Sequence, residues 1–211
     1  MTGESMVKIL KIERLDELRK HFDYIKKIIL EGKVFVCGTD TLYGLCANAL
    51  DESALERVYS IKERERGKPV SIFLRSTEEI ERYAHLDEVG RKIVERFLPG
   101  PLTIVLKKKD TIPDALSKDY IGIRVPASDI VRELSIVPLT ATSANISGER
   151  PPTSVEEIDD RLKERVDLII DTGVCPYRKP STVIKVVDGK VELIREGAVD
   201  FKEIEKVVRE D

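Results

Sequence analysis

Four groups of polar and basic residues stand at the ends of apolar segments. Their side chains are of the kinds that bind ligands or take part in catalysis. Their members are Thr39, Asp40 and Thr41; Lys62, Arg64, Arg66 and Lys68; Ser143, Asn145, Ser147 and Gly148; and Pro180, Ser181 and Thr182. Cations bind phosphate and carboxylate groups, and hydroxyl and amide groups orient small polar molecules by hydrogen bonds. Together with Gly and Pro turns, these residues suit a site for a triphosphate and a small polar co-substrate.

Each group taken alone also has a purely structural explanation. Two glutamates lie among the cations of residues 62–68, so that segment is typical of a solvated, self-paired charge run. The stretch 143-SANISG-148 favours a turn, and the hydroxyls at 39–41 and 181–182 could cap a turn or begin a strand. Only the combination of the groups favours a binding pocket.

Two arginines stand in strands that are otherwise apolar. Arg124 lies in 121-IGIRV-125, and Arg195 lies near the end of 191-VELIRE-196. A buried cation is unfavourable unless it meets an anion. For Arg124 that anion is either a ligand or a structural Asp or Glu on a neighbouring strand, which is the more common case. Tyr43 could pack in the core with its hydroxyl satisfied or line the pocket, and the core is expected.

The sequence lacks the common nucleotide-binding and hydrolase signatures. Lys68 is followed by Pro69, so a Walker-type phosphate loop is excluded, and no GxGxxG follows a strand. There is no GxSxG elbow and no His/Cys metal cluster, and the three cysteines are predicted to be reduced core residues. A nucleotide would therefore be bound by another design.

The composition is that of an ordinary globular protein. Of the 211 residues, 41% are hydrophobic and 36% are charged, with a net charge of −3. No polybasic tail indicates nucleic acid, and no apolar run is long enough for export or membrane insertion. We expect one domain over residues 1–211, located in the cytoplasm and without a membrane partner.

Hydrophobic periodicity predicts alternating helices and strands. Helices are predicted over 15–29, from Asp51, Thr77, Asp87 and Ser128, from Thr153 or Ser154, and at the C-terminal end; strands are predicted over 34–37, 70–74, 102–107, 121–125, 138–142, 166–171, 182–187 and 191–196. Helical crossovers favour parallel strand pairs, whereas Asp188-Gly189 is a hairpin signal that requires an antiparallel pair. The sequence therefore predicts an α/β or α+β domain with a mixed sheet.

In their order along the chain, the polar groups resemble the motifs of the YrdC/TsaC family of L-threonylcarbamoyladenylate synthases. The matching stretches are 38-GTDTLYGL-45, Lys62 through Arg64 to Lys68-Pro69, 99-PGPLTIVL-106, 122-GIRVP-126, 142-TSANISG-148, 180-PSTVI-184 and 194-IREG-197. They span nearly the whole chain, and together they are far more specific than any one of them. The resemblance implies a twisted mixed sheet flanked by helices around a large basic cavity, in the short, single-domain form of the family.

The resemblance also implies an activity. Members of this family condense L-threonine, bicarbonate and ATP, with Mg²⁺, into threonylcarbamoyl-adenylate and pyrophosphate. A Kae/TsaD-type partner enzyme then transfers the threonylcarbamoyl group to the adenosine beside the anticodon of tRNAs that read codons beginning with A. For this chain the resemblance implies the same reaction and partner, transient contact with tRNA, and Mg²⁺ bound through the ATP phosphates.

Residue by residue, the active-site tetrad of the family falls on Lys62, Arg64, Ser143 and Asn145. The resemblance assigns ATP contacts to Arg64, Lys68, Ser143, Thr153 and Arg195, and threonine contacts to Thr41, Arg124 and Ser181. In these roles the cations would relieve the repulsion between a threonine carbamate and the α-phosphate, and an arginine would clamp the threonine carboxylate.

Two places depart from the family pattern. Gly38 stands where the family usually has Pro before the first Thr, and it predicts a more flexible entry to the strand tip. Ala127 and Ser128 stand where the family often has His or another polar residue, which bears on substrate affinity. Neither departure touches the tetrad.

An RNA-binding module without adenylate-forming activity is the alternative function, since YrdC-like domains present a concave basic surface that suits double-helical RNA. The net charge of −3 and the lack of an aromatic stacking platform give it little weight. It predicts tRNA binding that weakens steeply with salt and is indifferent to ATP and threonine.

Overall fold

The apolar segments of the sequence become the strands of a mixed sheet. The computed structural model describes residues 7–209. Within that range the strands are β1 (Ile9–Lys11), β2 (Phe35–Gly38), β3 (Tyr43–Cys46), β4 (Ser71–Phe73), β5 (Leu102–Lys107), β6 (Tyr120–Arg124), β7 (Leu139–Ser143), β8 (Leu168–Asp171), β9 (Thr182–Val187) and β10 (Lys190–Arg195). The helices are α1 (Leu15–Leu30), α2 (Glu52–Ile61), α3 (Ile80–Tyr83), α4 (Glu88–Phe97), α5 (Asp129–Leu134), α6 (Asp160–Lys163) and α7 (Phe201–Arg209).

The strands follow the order β1-β8-β2-β3-β7-β4-β6-β5-β9-β10. The pairs β1/β8, β2/β8, β4/β6 and β5/β9 are parallel and the others are antiparallel, which confirms the predicted mixed sheet. Strand β7 joins the two halves, because residues 139–141 pair with β4 while Thr142 and Ser143 pair with β3. Ser143 therefore lies where the two half-sheets meet.

Three predicted helix starts are confirmed by their capping bonds. The Asp51 carboxylate accepts from the backbone N–H groups of Ser53 and Ala54 at the start of α2. Asp87 caps α4 and Ser128 caps α5 in the same way. The predicted hairpin is also present, because Asp188 and Gly189 both have positive φ, as a two-residue turn between β9 and β10 requires.

Other predictions of local structure were wrong. Thr77 is the first residue of a 3₁₀ turn, Thr77–Glu79, rather than a cap. No long helix follows Thr153 or Ser154: a 3₁₀ turn, Val155–Glu157, ends at the extended Ile158, and only the four-residue α6 follows. Strands β1 and β3 were not predicted: β1 has only three residues, and the four residues of β3 are all buried and show no alternation.

Three apolar clusters cover the two faces of the sheet. One packs α3, α4 and α7 against β5, β6 and β9; a second packs α1 and α5 against one face of β2 and β8; and the third packs α2 and α6 against the opposite face. In β2 the side chains of Phe35 and Cys37 enter the second cluster and Val36 enters the third, as the two-residue period of a strand requires.

The three cysteines are free and buried in these clusters, as predicted. Burial raises the pKa of the Cys46 thiol to about 12 and that of Cys175 to about 11, so neither is a ready nucleophile. In the part of the chain that the structure describes, no helix is long and apolar enough to cross a membrane. The expectation of one domain concerns all 211 residues and stays a prediction.

Candidate active site

A cavity of about 780 Å³ opens where the two half-sheets meet. Its wall combines β3, β4 and β7 with β5, β6, β9 and β10, and loop residues such as Gly67 and Ser117 complete it. The charged side chains in the wall are Arg64, Lys118, Arg124, Arg195, Asp114 and Asp119. The volume lies in the range of pockets that hold a nucleotide-sized ligand. A basic potential in this cavity stays a prediction.

Six of the residues proposed for the site line this cavity, and four do not. The lining residues are Thr41, Arg64, Arg124, Ser143, Ser181 and Arg195, and those outside the wall are Lys62, Lys68, Asn145 and Thr153. The fold therefore brings together residues from distant parts of the chain. Their roles toward a ligand stay predictions.

The sequence left open whether Arg124 pairs with a structural carboxylate or with a ligand. In the structure it pairs with a carboxylate of the protein, which is the more common case. Its Nη2 donates to Asp40 Oδ1, its Nη1 donates to Thr41 Oγ1 at 2.7 Å, and its Nε donates to the Gly100 carbonyl at 3.0 Å. A guanidinium has five N–H groups, so one on each terminal nitrogen is left. Arg124 can therefore still bind a carboxylate while it is held by the protein.

The hydroxyls that follow β2 have two different functions. Thr39 Oγ1 accepts from the backbone N–H groups of Thr41 and Leu42 and donates to the Leu42 carbonyl at 2.8 Å, so it folds the turn into β3. Thr41 lines the cavity and is held by Arg124. This stretch is therefore a hairpin turn, and Thr39 and Thr41 both line the cavity.

A second group of hydroxyls surrounds Ser181. Its Oγ lies 2.8 Å from Thr103 Oγ1 and 3.3 Å from Arg195 Nη2, and Arg195 also donates to the Ser181 carbonyl at 2.8 Å. Among the described residues, these are the groups that Arg195 reaches, and none is an anion. Thr103 was missed from the sequence, although a lone hydroxyl in the apolar strand 102-LTIVLK-107 was a usable signal.

The charged segment 62–68 divides into an outer and an inner set. The outer residues form exposed ion pairs: Arg66 with Glu56, Lys68 with Glu65, and Glu63 with Arg165. Arg64 instead lines the cavity, with Nη2 donating to the Pro69 carbonyl and with its buried Nε lacking a partner among the described residues. The structural explanation thus holds for the outer residues alone.

Lys62 is buried, with 2% of its surface exposed, yet it pairs with no carboxylate in the range 7–209. Its Nζ donates to the carbonyls of Ser143 and Asn145, the latter at 2.9 Å. Burial, and then the nearby charge of Arg64, lower the pKa of Lys62 to about 8.

Asn145 and Thr153 are engaged in the backbone of their own loops. The Asn145 Nδ2 donates to the carbonyls of Ile146 and Glu149 at 2.8 and 2.9 Å. Thr153 gives both its hydroxyl and its N–H to the Glu157 carboxylate, at 2.9 and 2.7 Å. Both side chains therefore shape the loops around the cavity.

Gly38 is part of a paired strand, and the prediction of a more flexible entry stays a prediction. The glycine lies within β2, paired with Tyr43, and a Cβ there would lie 2.0 Å from Thr172 Oγ1 and 2.9 Å from the Tyr43 ring. Tyr43 is buried as predicted, with its hydroxyl 2.7 Å from the Gly173 carbonyl and 3.0 Å from Asp171 Oδ1. A side chain at position 38 would therefore require Thr172 and the Tyr43 ring to shift.

A mixed α/β fold with a deep cavity lined by arginines and hydroxyls defines a class of ligand-binding α/β protein. Within residues 7–209 no group of three or more His, Cys, Asp and Glu side chains could hold a metal ion. The sequence profile of the Sua5/YciO/YrdC family, described as "Telomere recombination", matches residues 27–197. This chain belongs to that family.

One protein known by its sequence and two solved structures are similar to the chain. A protein of Methanocaldococcus jannaschii named "Putative threonylcarbamoyl-AMP synthase" is 55% identical over 199 residues, which are 93% of this chain and 96% of that protein. The structure of Pyrococcus abyssi Sua5 complexed with L-threonine matches with a TM-score of 0.88 at 34% identity, covering 98% of this chain and 62% of that one. The structure of Escherichia coli YciO matches with a TM-score of 0.84 at 30% identity, covering 94% of this chain and 100% of that one.

Proposed function

We propose that this chain is an L-threonylcarbamoyladenylate synthase, an ATP-dependent nucleotidyltransferase that converts L-threonine, bicarbonate and ATP into threonylcarbamoyl-adenylate and pyrophosphate. The observation that carries the proposal is that Arg124, which has N–H groups left for a ligand carboxylate, shares one cavity with Arg64 and Arg195. Among the described residues, neither Arg64 nor Arg195 forms an ion pair with a carboxylate. The names of the similar proteins from Methanocaldococcus jannaschii and Pyrococcus abyssi support it.

Threonine would bind at the end of the cavity near Arg124. The two remaining N–H groups of that arginine suit the threonine carboxylate, and the hydroxyls of Thr41 and Ser181 suit its polar groups. The L-threonine in the similar structure of Pyrococcus abyssi Sua5 supports a site for this amino acid.

ATP would place its phosphates near Arg64 and Arg195. The threonine amine first forms a bond to the carbon of bicarbonate, with loss of water, and gives a carbamate. A carbamate oxygen then attacks the α-phosphorus, and the bond to the β-phosphate oxygen breaks, so that pyrophosphate leaves. The two arginines bring the two anions together and stabilise the leaving charge, and no general base is needed because the carbamate is already anionic.

The residues present fit a Mg²⁺ ion that arrives with the ATP phosphates. Among the described residues, the carboxylates in the cavity wall are Asp114 and Asp119, and Asp114 is paired with Lys108 at 2.7 Å. Phosphate oxygens and water would therefore supply most of the ligands, with Asp119 as an available oxygen donor. When bound, the ion would neutralise part of the phosphate charge.

The product would pass to a Kae/TsaD-type transferase that modifies tRNA, and tRNA itself would be met only transiently. A threonylcarbamoyl-adenylate is a mixed anhydride, so an enzyme that transfers its acyl group must follow.

Omission of each substrate in turn tests the proposed reaction. Purified protein is incubated with ATP, Mg²⁺, bicarbonate and L-threonine, and released pyrophosphate is measured. We expect release only when every component is present. Release without threonine, or intact ATP with a folded protein in fresh bicarbonate, would contradict the proposal; a titration of tRNA against salt would then test the RNA-binding alternative.

A further inference from the structure

The four tetrad residues do not face the cavity in the same way. Arg64 and Ser143 are part of its wall, whereas Lys62 and Asn145 are buried behind it, with 2% and 9% of their surfaces exposed. The four residues therefore need not all contact a ligand. The hydrogen bonds of Lys62 and Asn145 show which part of the backbone these two side chains hold in place.

Both hydrogen bonds from Lys62 end on residues 143–149, which run from the last residue of β7 through the turn after it and are here called the serine turn. Its ammonium donates to the carbonyls of Ser143 and Asn145. In the opposite direction, the N–H of Ser147 donates to the Lys62 carbonyl at 2.8 Å. The C-terminal end of α2 and the serine turn are thus fastened to each other from both sides.

Asn145 closes the same turn from within. Its Nδ2 donates to the carbonyls of Ile146 and Glu149. This fixes the orientation of the amide, because a flipped amide would set its oxygen against two carbonyl oxygens. The hydrogen bonds from the side chains of Lys62 and Asn145 therefore all end on the backbone of the serine turn.

We propose that Lys62 and Asn145 are positioning residues that hold the serine turn, so that Ser143 faces the same cavity as Arg64. This inference rests on the proposed function for its kinetic consequences. Lys62 lies outside the cavity wall, and the carbonyls of the serine turn engage two of the three N–H donors of its ammonium. Arg64 and Ser143 are then the members of the tetrad that line the cavity, whereas the Asn145 Oδ1 is buried and has no partner among the described residues.

Amide hydrogen exchange and turnover, measured on the same variants, test this division. Lys62→Met keeps a long unbranched side chain and removes its N–H donors. Asn145→Leu keeps the branched shape of the side chain and removes the amide. Arg64→Met is the matched control, because Arg64 makes no bond to the serine turn. Pyrophosphate release is followed on each folded variant, and the melting midpoint shows whether the whole domain is affected.

We expect exchange in residues 143–149 to become at least about fivefold faster in Lys62→Met and Asn145→Leu, and to stay as in the parent protein in Arg64→Met. Turnover of the two positioning variants should fall at least about tenfold while they remain folded. Unchanged exchange in the serine turn would overturn the inference, and so would faster exchange with parental turnover. If the parent protein releases no pyrophosphate, the proposed function fails, and the exchange comparison still decides whether Lys62 and Asn145 hold the turn.

Discussion

Arg124 and Asp40 form a buried ion pair between residues that are 84 positions apart in the sequence. Each side chain is only 5% exposed. The pair joins the β2–β3 turn to the end of β6, and the remaining bonds of Arg124 reach Thr41 and Gly100. Asp40 thus fixes the position of the arginine that we assign to the threonine carboxylate.

Loss of the carboxylate should destabilise the domain because a buried cation would be left unpaired. We expect Asp40→Ala to lower the free energy of unfolding by about 3 to 5 kcal/mol, measured by urea denaturation. Glu133→Ala is the matched control, since it removes the partner of Arg75 from a pair that is 49% and 42% exposed. That change should stay within about 1 kcal/mol, and equal effects of the two variants would refute the special role of the buried pair.

Arg64 and Arg66 lie two residues apart but differ in what they face. Arg64 lines the cavity, whereas Arg66 is 80% exposed and paired with Glu56. Arg64→Ala should lower the turnover of pyrophosphate release at least about tenfold, which is roughly 1.4 kcal/mol in the barrier. Arg66→Ala should retain the parental rate, and a parental rate in Arg64→Ala would remove that residue from the proposed mechanism.

The hydroxyl of Ser181 should affect threonine rather than ATP. It is held between Thr103 and Arg195 at the cavity wall. Loss of one hydrogen bond to substrate corresponds to about 1 kcal/mol, so Ser181→Ala should raise the KM for threonine about fivefold to tenfold. Steady-state kinetics measure this, with the KM for ATP as the internal control. An unchanged KM for threonine would show that the assignment is wrong.

The lowered pKa of Lys62 predicts how stability changes with pH. Because its pKa is about 8 in the folded protein and 10.5 ordinarily, the unfolded chain binds more protons between these values, and stability should rise with pH across that window. From pH 7.5 to 9.5 the parent protein should gain about 2 kcal/mol in the free energy of unfolding relative to Lys62→Met. The cysteines also titrate near this range but are common to both proteins, so the difference isolates Lys62. Parallel pH profiles would contradict a lowered pKa.

The sequence predicts those parts of the fold that depend on local signals. Asp51, Asp87 and Ser128 cap their helices, and Asp188-Gly189 forms the hairpin turn, because each uses only neighbouring backbone groups. Strand β3 was missed because its four residues are buried on both faces and show no alternation.

The sequence predicted several residues of the candidate site, but not how their side chains contact one another. The resemblance selected Thr41, Arg124 and Ser181, which the fold brings to one cavity. The pair of Asp40 with Arg124, and the hydrogen bonds of Lys62 to backbone carbonyls, depend on contacts between distant parts of the chain, which no local pattern encodes.

If the chain is an L-threonylcarbamoyladenylate synthase, the carbon of bicarbonate must enter the adenylate product. The protein is incubated with ATP, Mg²⁺, L-threonine and bicarbonate labelled with carbon-13, and the products are analysed by mass spectrometry. We expect a threonylcarbamoyl-adenylate that is one mass unit heavier than the product from unlabelled bicarbonate, formed together with pyrophosphate. An adenylate without the label, or unreacted ATP beside a folded protein, would contradict the proposed function.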